Sequence, residues 1–299
     1  MQTVAGKVAF ITGGASGIGF GMARACVRAG MKVAIADIRS EHLDEAWSAF
    51  RPSDPVHAIR LDVTDRKAMS AAADEVERVF GKVHVLCNNT GVGIIGSIES
   101  STYDDWDWML EVNLDAVFNG VHELLPRIRA HGEGGYIMST SSVGGLFAAN
   151  KGGPYSVTQY AVVAMMDCLR QDLRDENIGV SVLCPAGVRT QIHKSANLRP
   201  EKYHHSGYPP GELIAGQSPQ AAAAMRAAMN SAMDPLEVGE LVLAAIRKKQ
   251  FYIFTDNVSA TVAARRDALL ASLPDEPIDQ ARLQADLQSR QLRLKKRPG

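Results

Sequence analysis

The sequence is short of the features that mark disulfide scaffolds, membrane spans and nucleic-acid binders. It has only four cysteines in 299 residues, Cys26, Cys87, Cys168 and Cys184, and no two form a CxxC pair. Neither a disulfide framework nor a zinc site follows from such spacing, and no metal is expected. Three of the four fall in apolar runs, which reads as buried thiols in a reducing compartment. No apolar stretch reaches the ~18 residues of a membrane span. Residues 1–7 run straight into a strand pattern with no room for a signal peptide, so a cytoplasmic location is expected. Charge of one sign is also missing. The 32 Lys+Arg and 33 Asp+Glu leave a formal net charge of -1, which gives neither nucleic acid nor membrane an electrostatic hold. The basic tail RQLRLKKRPG reads as a solvated end, with membrane or RNA contact as the lesser alternative.

What the sequence does have is alternation. Short, almost continuously apolar runs at 7–12, 32–37, 56–61 and 83–88 are separated by helical patterns at 17–29, 40–50 and 66–80. The rhythm continues with a long helix over 103–130, a strand at 136–139, a helix over 154–176 and a strand at 180–184. A helix near 235–248 and a strand at 251–255 complete it. Strands apolar on both faces and separated by helices mean a parallel sheet covered on both sides. The fold class is therefore α/β: a single-domain Rossmann fold, doubly wound, with a seven-stranded parallel sheet and helices on both faces. We place this domain at 1–260, with a substrate loop at about 191–234 that is too long for an ordinary connection. Residues 261–299 read as a helical C-terminal extension ending in the basic tail.

Thr12-Gly13-Gly14-Ala15-Ser16-Gly17-Ile18-Gly19 occupies the first strand-to-helix turn. Glycines there let backbone N–H groups approach a pyrophosphate at a helix N-terminus. Asp37 ends the second strand, 18 positions after Gly19, where a carboxylate accepts bonds from ribose hydroxyls and repels a 2′-phosphate. NAD is therefore the expected cofactor, with Arg39 close enough to soften the preference.

The GxxxGxG spacing, Asn113, Ser142 and Tyr155 together resemble the short-chain dehydrogenases, in which a serine stands 13 positions before the tyrosine. The resemblance spans roughly residues 5–255. It implies that Gly13, Ser16, Gly17, Ile18, Gly19, Asp37, Arg39, Asp62, Val63, Asn89, Gly91, Tyr155, Gln159, Val188 and Thr190 hold the cofactor. It also implies a catalytic set of Asn113, Ser142, Tyr155 and Gln159. Tyr155 would act as acid or base on a secondary alcohol or its ketone. Ser142 would stabilise charge on the substrate oxygen, and Asn113 would hold a relay water. One position departs from the family: YxxxK reads Tyr155-Ser156-Val157-Thr158-Gln159. A lysine there lowers the tyrosine pKa and bonds the nicotinamide ribose; glutamine can do only part of the second task. Lys151, outside the motif, substitutes only if its loop folds inwards.

Within the family, TGGASGIGFGMA at 12–23, TYDDWDW at 102–108 and NLRPEKYHHSGY at 197–208 are similar to bacterial Cα-dehydrogenases acting on lignin-derived β-aryl ethers. The expected partner is thus a bulky, hydrophobic, aromatic or benzylic secondary alcohol or its ketone, with no nucleic acid and no membrane. Phe147, Tyr203 and Tyr208 are candidates to stack on an aryl group, and His204-His205 reads as a polar turn. A homodimer or homotetramer is expected, because 103–130 and 154–176 carry apolar residues on more than one face, among them Val162, Val163, Met165, Met166 and Leu169. The family pairs these helices across a two-fold axis. The alternative is an NAD-binding pseudoenzyme, a partner or sensor left by the loss of the lysine.

Overall fold

A computed structural model describes residues 1–94, 96–148, 150–203, 227, 231–275 and 279–295. Seven parallel strands form one sheet: β1 (Val8–Thr12), β2 (Lys32–Asp37), β3 (Val56–Arg60), β4 (Val85–Asn88), β5 (Gly135–Thr140), β6 (Ile178–Cys184) and β7 (Tyr252–Phe254). Their spatial order is β3-β2-β1-β4-β5-β6-β7. The order reverses direction between β1 and β4, which opens a crevice at the carboxyl ends of the strands. The seven-stranded doubly wound sheet read from the sequence is the one present.

Strand residues alternate between two cores. Val8, Phe10, Ala34 and Ala36 face one cluster with residues of α3 (Arg66–Phe80), α5 (Ala116–Ala130) and α6 (Gly153–Asp172). Ala9, Ile11, Val33 and Ile35 face the other, with α1 (Gly17–Arg28), α2 (Ser40–Ser48) and α7 (Pro235–Lys248). Period-two side-chain direction turns each continuous apolar run into two buried faces. Cys26, Cys87 and Cys184 lie in these cores, and Cys168 is exposed.

Two expectations change. The helix over 103–130 is interrupted: α4 (Tyr103–Leu110) and α5 are joined by a π segment, Glu111–Asp115. Apolar spacing alone did not reveal it, because an inserted residue leaves apolar side chains on the buried face either way. The apolar residues read as a second buried face on α6 are spent inside the chain. Val162, Val163, Met166 and Leu169 are core, and Met165 packs against that core. The exposed apolar residues on these helices are others, Tyr103, Trp106, Phe118 and Val157.

At the amino ends of the strands, His84, His131 and Glu133 cluster at ligand-like separations. Every ring nitrogen is engaged. The Val8 N–H donates to His84 Nδ1 at 3.2 Å, and His84 Nε2 meets Glu133 at 3.0 Å. His131 Nε2 meets the Val83 carbonyl at 2.9 Å, and its Nδ1 accepts the Glu133 N–H at 3.1 Å. With Lys7 also on Glu133 at 2.6 Å, the group is a bracket across three strand starts, not a vacant coordination site.

Chain contacts divide into two units, Met1–Asn257 and Val258–Gly299. The second contains α8 (Ser259–Ala271) and α9 (Gln280–Lys295), and α8 has no buried residue. Among the described residues, no helix is long and apolar enough to cross a membrane. Of the loop expected at 191–234, the described part holds two 3-10 turns, Ile192–Leu198 and Glu201–Tyr203. His204, His205 and Tyr208 lie outside the described residues.

Candidate active site

The site begins at the glycine turn. Gly13 has φ +60, which a side chain rarely tolerates, and a methyl group on Gly19 would collide with the Gly13 carbonyl. Ser16 is the N-cap of α1, yet its side chain makes no capping bond, and the first turn carries no acidic residue. The α1 N-terminus therefore presents backbone donors and the positive end of a helix dipole, a cradle for a pyrophosphate. Ser16 and Gly17, with Thr190, also border a cleft of about 620 Å³ that runs outwards past Arg24, His42 and His193.

Asp37 is buried at the end of β2, 6% exposed. The Arg39 N–H donates to its Oδ1 at 3.2 Å, and the Arg39 guanidinium lies 3.6 Å from the same carboxylate. Arg39 Nη2 reaches Ser16 Oγ at 3.3 Å. The cation thus spans from Asp37 to the glycine turn. Asp62 holds a turn, accepting from the Thr64 N–H at 3.0 Å and its hydroxyl at 2.8 Å. The Val63 carbonyl accepts from Asn119 Nδ2 at 3.1 Å.

Asn89 stitches three strand ends together. Its N–H donates to Thr12 Oγ1 at 3.0 Å, its Nδ2 donates to the Thr12 carbonyl at 3.3 Å, and Thr140 Oγ1 donates to its Oδ1 at 3.0 Å. Gly91 follows, exposed, next to Asn113 Oδ1. Val188 is buried and bridges to Met233, and Thr190 stands against Gly17.

Asn113 sits in the π segment, 3% exposed. The Val92 N–H donates to its Oδ1 at 2.8 Å, and its Nδ2 donates to the Val92 carbonyl at 2.9 Å. The same Nδ2 lies 3.2 Å from Thr158 Oγ1, and that hydroxyl donates to the Tyr155 carbonyl at 2.8 Å. The loop after β4 and the first turn of α6 are thereby tied through one side chain. Two residues past β5, Ser142 is the N-cap of the 3-10 turn Val143–Gly145, its Oγ accepting from the Gly144 N–H at 3.0 Å. Ser141 Oγ donates to the Gln159 carbonyl at 2.9 Å, which holds α6 against the strand end.

Tyr155 and Ser142 are both half-buried, and the Ser142 hydroxyl is close enough to act on the phenol. Burial pushes the Tyr155 phenol up from its ordinary value, more than the Ser142 hydroxyl draws it down. Gln159 is buried at 5% exposure, and its Nε2 has only a long contact with Thr158 Oγ1, at 3.5 Å. Lys151 is exposed and has φ 60; its carbonyl accepts from the Gly96 N–H at 3.0 Å. The structure therefore brings Asn113, Ser142, Tyr155 and Gln159 into one corner, and the glycine turn with Asp37 into another. Sequence reasoning missed Ser141 and Thr158, whose backbone-directed hydroxyls carry no motif signal.

The comparisons decide the family. A family model described as short chain dehydrogenase matches residues 7–201. The chain belongs to the short chain dehydrogenase family. It is an oxidoreductase acting on alcohols. It is 39% identical over 255 residues to the C alpha-dehydrogenase of Sphingobium sp., covering 85% of this chain and 81% of that protein. A short chain dehydrogenase/reductase from Burkholderia phymatum, solved in complex with NAD, matches this dehydrogenase with a TM-score of 0.81 and 34% identity. That match covers 93% of this chain and 100% of the other. LigO from Sphingobium sp. strain SYK-6, solved in its apo form, has a TM-score of 0.76 and 37% identity, with both chains covered at 100%.

Proposed function

We propose that this dehydrogenase moves a hydride between a bulky aromatic or benzylic secondary alcohol, or its ketone, and NAD(H), with Tyr155 as the proton-transfer group. The observation that carries this reading is the corner itself: Asn113 ties the first turn of α6, which carries Tyr155, to the loop after β4, and the Ser142 hydroxyl lies close enough to the phenol to draw its pKa down. A hydroxyl donor and a titratable phenol converging on one point is what a carbinol oxygen needs. NAD fits the residues present: an open helix N-terminus, a glycine turn with no room for side chains, and a buried carboxylate at the end of β2. The turn from Gly13 to Gly19 would hold the pyrophosphate, Asp37 and Arg39 the adenosine ribose, and Asp62 and Val63 the adenine. Asn89, Gly91, Gln159, Val188 and Thr190 would hold the nicotinamide half. When bound, NAD supplies the hydride acceptor.

The rest falls to the chain. In oxidation Tyr155, as phenolate, takes the hydroxyl proton, and Ser142 donates to the substrate oxygen as its charge changes. Asn113, clamped to Val92 and Thr158, fixes the backbone on which Tyr155 stands. An aromatic substrate is supported by the apolar wall beside the phenol. Val92, Trp108, Met109 and Val112 form a buried cluster, with Ile94, Tyr155 and Tyr203 packed against it. It is also supported by the likeness to the C alpha-dehydrogenase. The test is NADH formation with a panel of aryl carbinols against steroids and small aliphatic alcohols. Failure on every aryl carbinol would remove the substrate class.

A cofactor-binding protein without turnover is the second reading, favoured by the neutral Gln159 beside a phenol already pushed up by burial. NADH binding without oxidation of any alcohol in the panel would put it first.

NAD should bind more tightly than NADP, because a 2′-phosphate would meet the Asp37 carboxylate in a buried corner. Arg39 lies 3.6 Å from the same carboxylate and would offset only part of that repulsion. Calorimetric titration of both cofactors checks this, and Asp37→Ala should narrow the gap. Equal or tighter NADP binding by the unaltered protein would overturn it.

The same reading gives a homodimer or homotetramer. Its support is the exposed Phe118 on α5 and Val157 on α6, at 51% and 40% exposure. Light scattering at micromolar concentration should return at least twice the chain mass; a monomer would contradict it.

A further inference from the structure

Two segments that stand far apart in the chain meet beside the active site. Arg199 Nη1 donates to Asp105 Oδ1 at 2.6 Å, with the two side chains only 9% and 3% exposed. The Arg199 Nε donates to the Tyr203 carbonyl at 2.8 Å, which closes the turn that carries the guanidinium. Its charge lies 5.5 Å from the ring centre of Trp108, itself 1% exposed. Asp105 is doubly used. Its other oxygen accepts from the Thr102 N–H at 2.9 Å as half of the capping box that starts α4. One turn further along, Tyr203 donates its hydroxyl to Glu111 at 2.6 Å, and Lys202 reaches the same carboxylate at 2.9 Å.

A buried ion pair is a poor source of stability, since desolvation offsets most of the attraction, but it admits very few geometries. This one joins the loop after β6 to the segment that carries Asn113. The loop is also held at its other end, where the Gly93 N–H donates to Ser195 Oγ at 3.1 Å. Gly93 follows Val92, which Asn113 clamps, and Asn113 reaches Tyr155 through Thr158. Trp108, under the guanidinium, and Tyr155 pack on the same apolar cluster.

We propose that Arg199 and Asp105 are positioning residues, a clip that fixes the 192–203 segment as the far wall of the alcohol site and so sets selectivity for bulky substrates. Neither touches the reacting atoms. This rests on the alcohol reading above. The clip holds Ile192 and Tyr203 at a set distance from Tyr155. A large alcohol uses that wall to present its carbinol to the phenol, whereas a small alcohol does not reach it.

The test is the double variant Arg199→Met with Asp105→Asn, which removes both charges while keeping bulk and an acceptor for the Thr102 N–H. Removing both charges leaves none stranded in the interior, so the chain should fold. Expected are NADH affinity within about twofold of wild type, and KM for 1-phenylethanol raised at least about tenfold with kcat changed less than about threefold. KM for 2-butanol should stay within about twofold. Each single variant should lose about as much selectivity as the double, since the two act as one unit. If KM rises alike for both alcohols, or NADH affinity falls with it, the clip is merely structural and the proposal fails. A readout without turnover is amide hydrogen exchange in the NADH complex. The Gly93 amide should exchange at least about tenfold faster in the double variant. Unchanged exchange there sinks the clip even if wild type oxidises neither alcohol, an outcome that would itself count only against the alcohol reading.

Discussion

Tyr155→Phe abolishes alcohol oxidation, by about 10²–10⁴-fold in kcat/KM, while NADH binding stays within about twofold of wild type. The substitution removes one oxygen and leaves the ring in the apolar cluster with Val92 and Trp108. Backbone contacts survive, because the bond from Thr158 is to the Tyr155 carbonyl and not to the phenol. The Ser142 hydroxyl keeps the Gly144 N–H. Nothing in the glycine turn or around Asp37 depends on the phenol, so the two readouts should separate cleanly. Single-turnover oxidation of an aryl carbinol and fluorescence titration with NADH measure them. Near wild-type turnover would mean that a different group accepts the proton. Loss of cofactor binding along with activity would mean that the ring has moved.

Gln159→Lys should move the alkaline-rising limb of the oxidation profile down by about 1–3 pH units and raise the rate near pH 7 by about 10–1000-fold. The base in oxidation is the phenolate. At the ordinary tyrosine value of about 10, roughly one molecule in a thousand carries it at pH 7. Burial pushes Tyr155 up from there, so the unaltered enzyme holds still less. An ammonium one helical turn away stabilises the phenolate, and a group whose pKa falls is more ionised at any given pH. The limb therefore moves to lower pH. In reduction the phenol is the acid, and the unaltered enzyme keeps it protonated throughout the neutral range. The measurement is kcat/KM against pH for both proteins with one good substrate. Coincident curves, or a slower lysine variant at every pH, would give Gln159 a positive role of its own.

Much of the architecture was legible because a parallel sheet writes itself plainly. Runs such as VAFIT and KVAIAD are apolar at every position, since both faces of these strands are covered. The corner with Ser142 and Tyr155 was legible only through the resemblance to the short-chain dehydrogenases, whose serine stands 13 positions before the tyrosine. Other features were not, each for a physical reason. The π segment leaves no periodic trace, because its function shows only in the bonds of Asn113 to Val92. The ion pair of Arg199 with Asp105 joins two polar residues from motifs noticed separately, and neither motif says that it needs the other. Apolar density on α6 was misassigned to a second chain, because a helix flanked by a sheet and by α4 is already covered on two sides. Val162 and Met166 are fully buried within this chain alone.

The π segment also makes the length of the chain there a determinant in its own right. A π turn carries one residue more than the regular helix it interrupts. Removing any one residue from Glu111–Asp115 would let α4 and α5 run as an unbroken α-helix, which costs nothing in propensity. The flanking helices would keep their phase, because a π turn takes up its additional residue within a single turn. Asp105 and Trp108 would stay on the side of α4 that meets Arg199. The loss would be local: without the bulge, Asn113 would no longer stand where its side chain clamps Val92 and reaches Thr158. A single deletion in an unremarkable stretch of helix would leave both walls of the site aligned and still release the backbone on which Tyr155 stands.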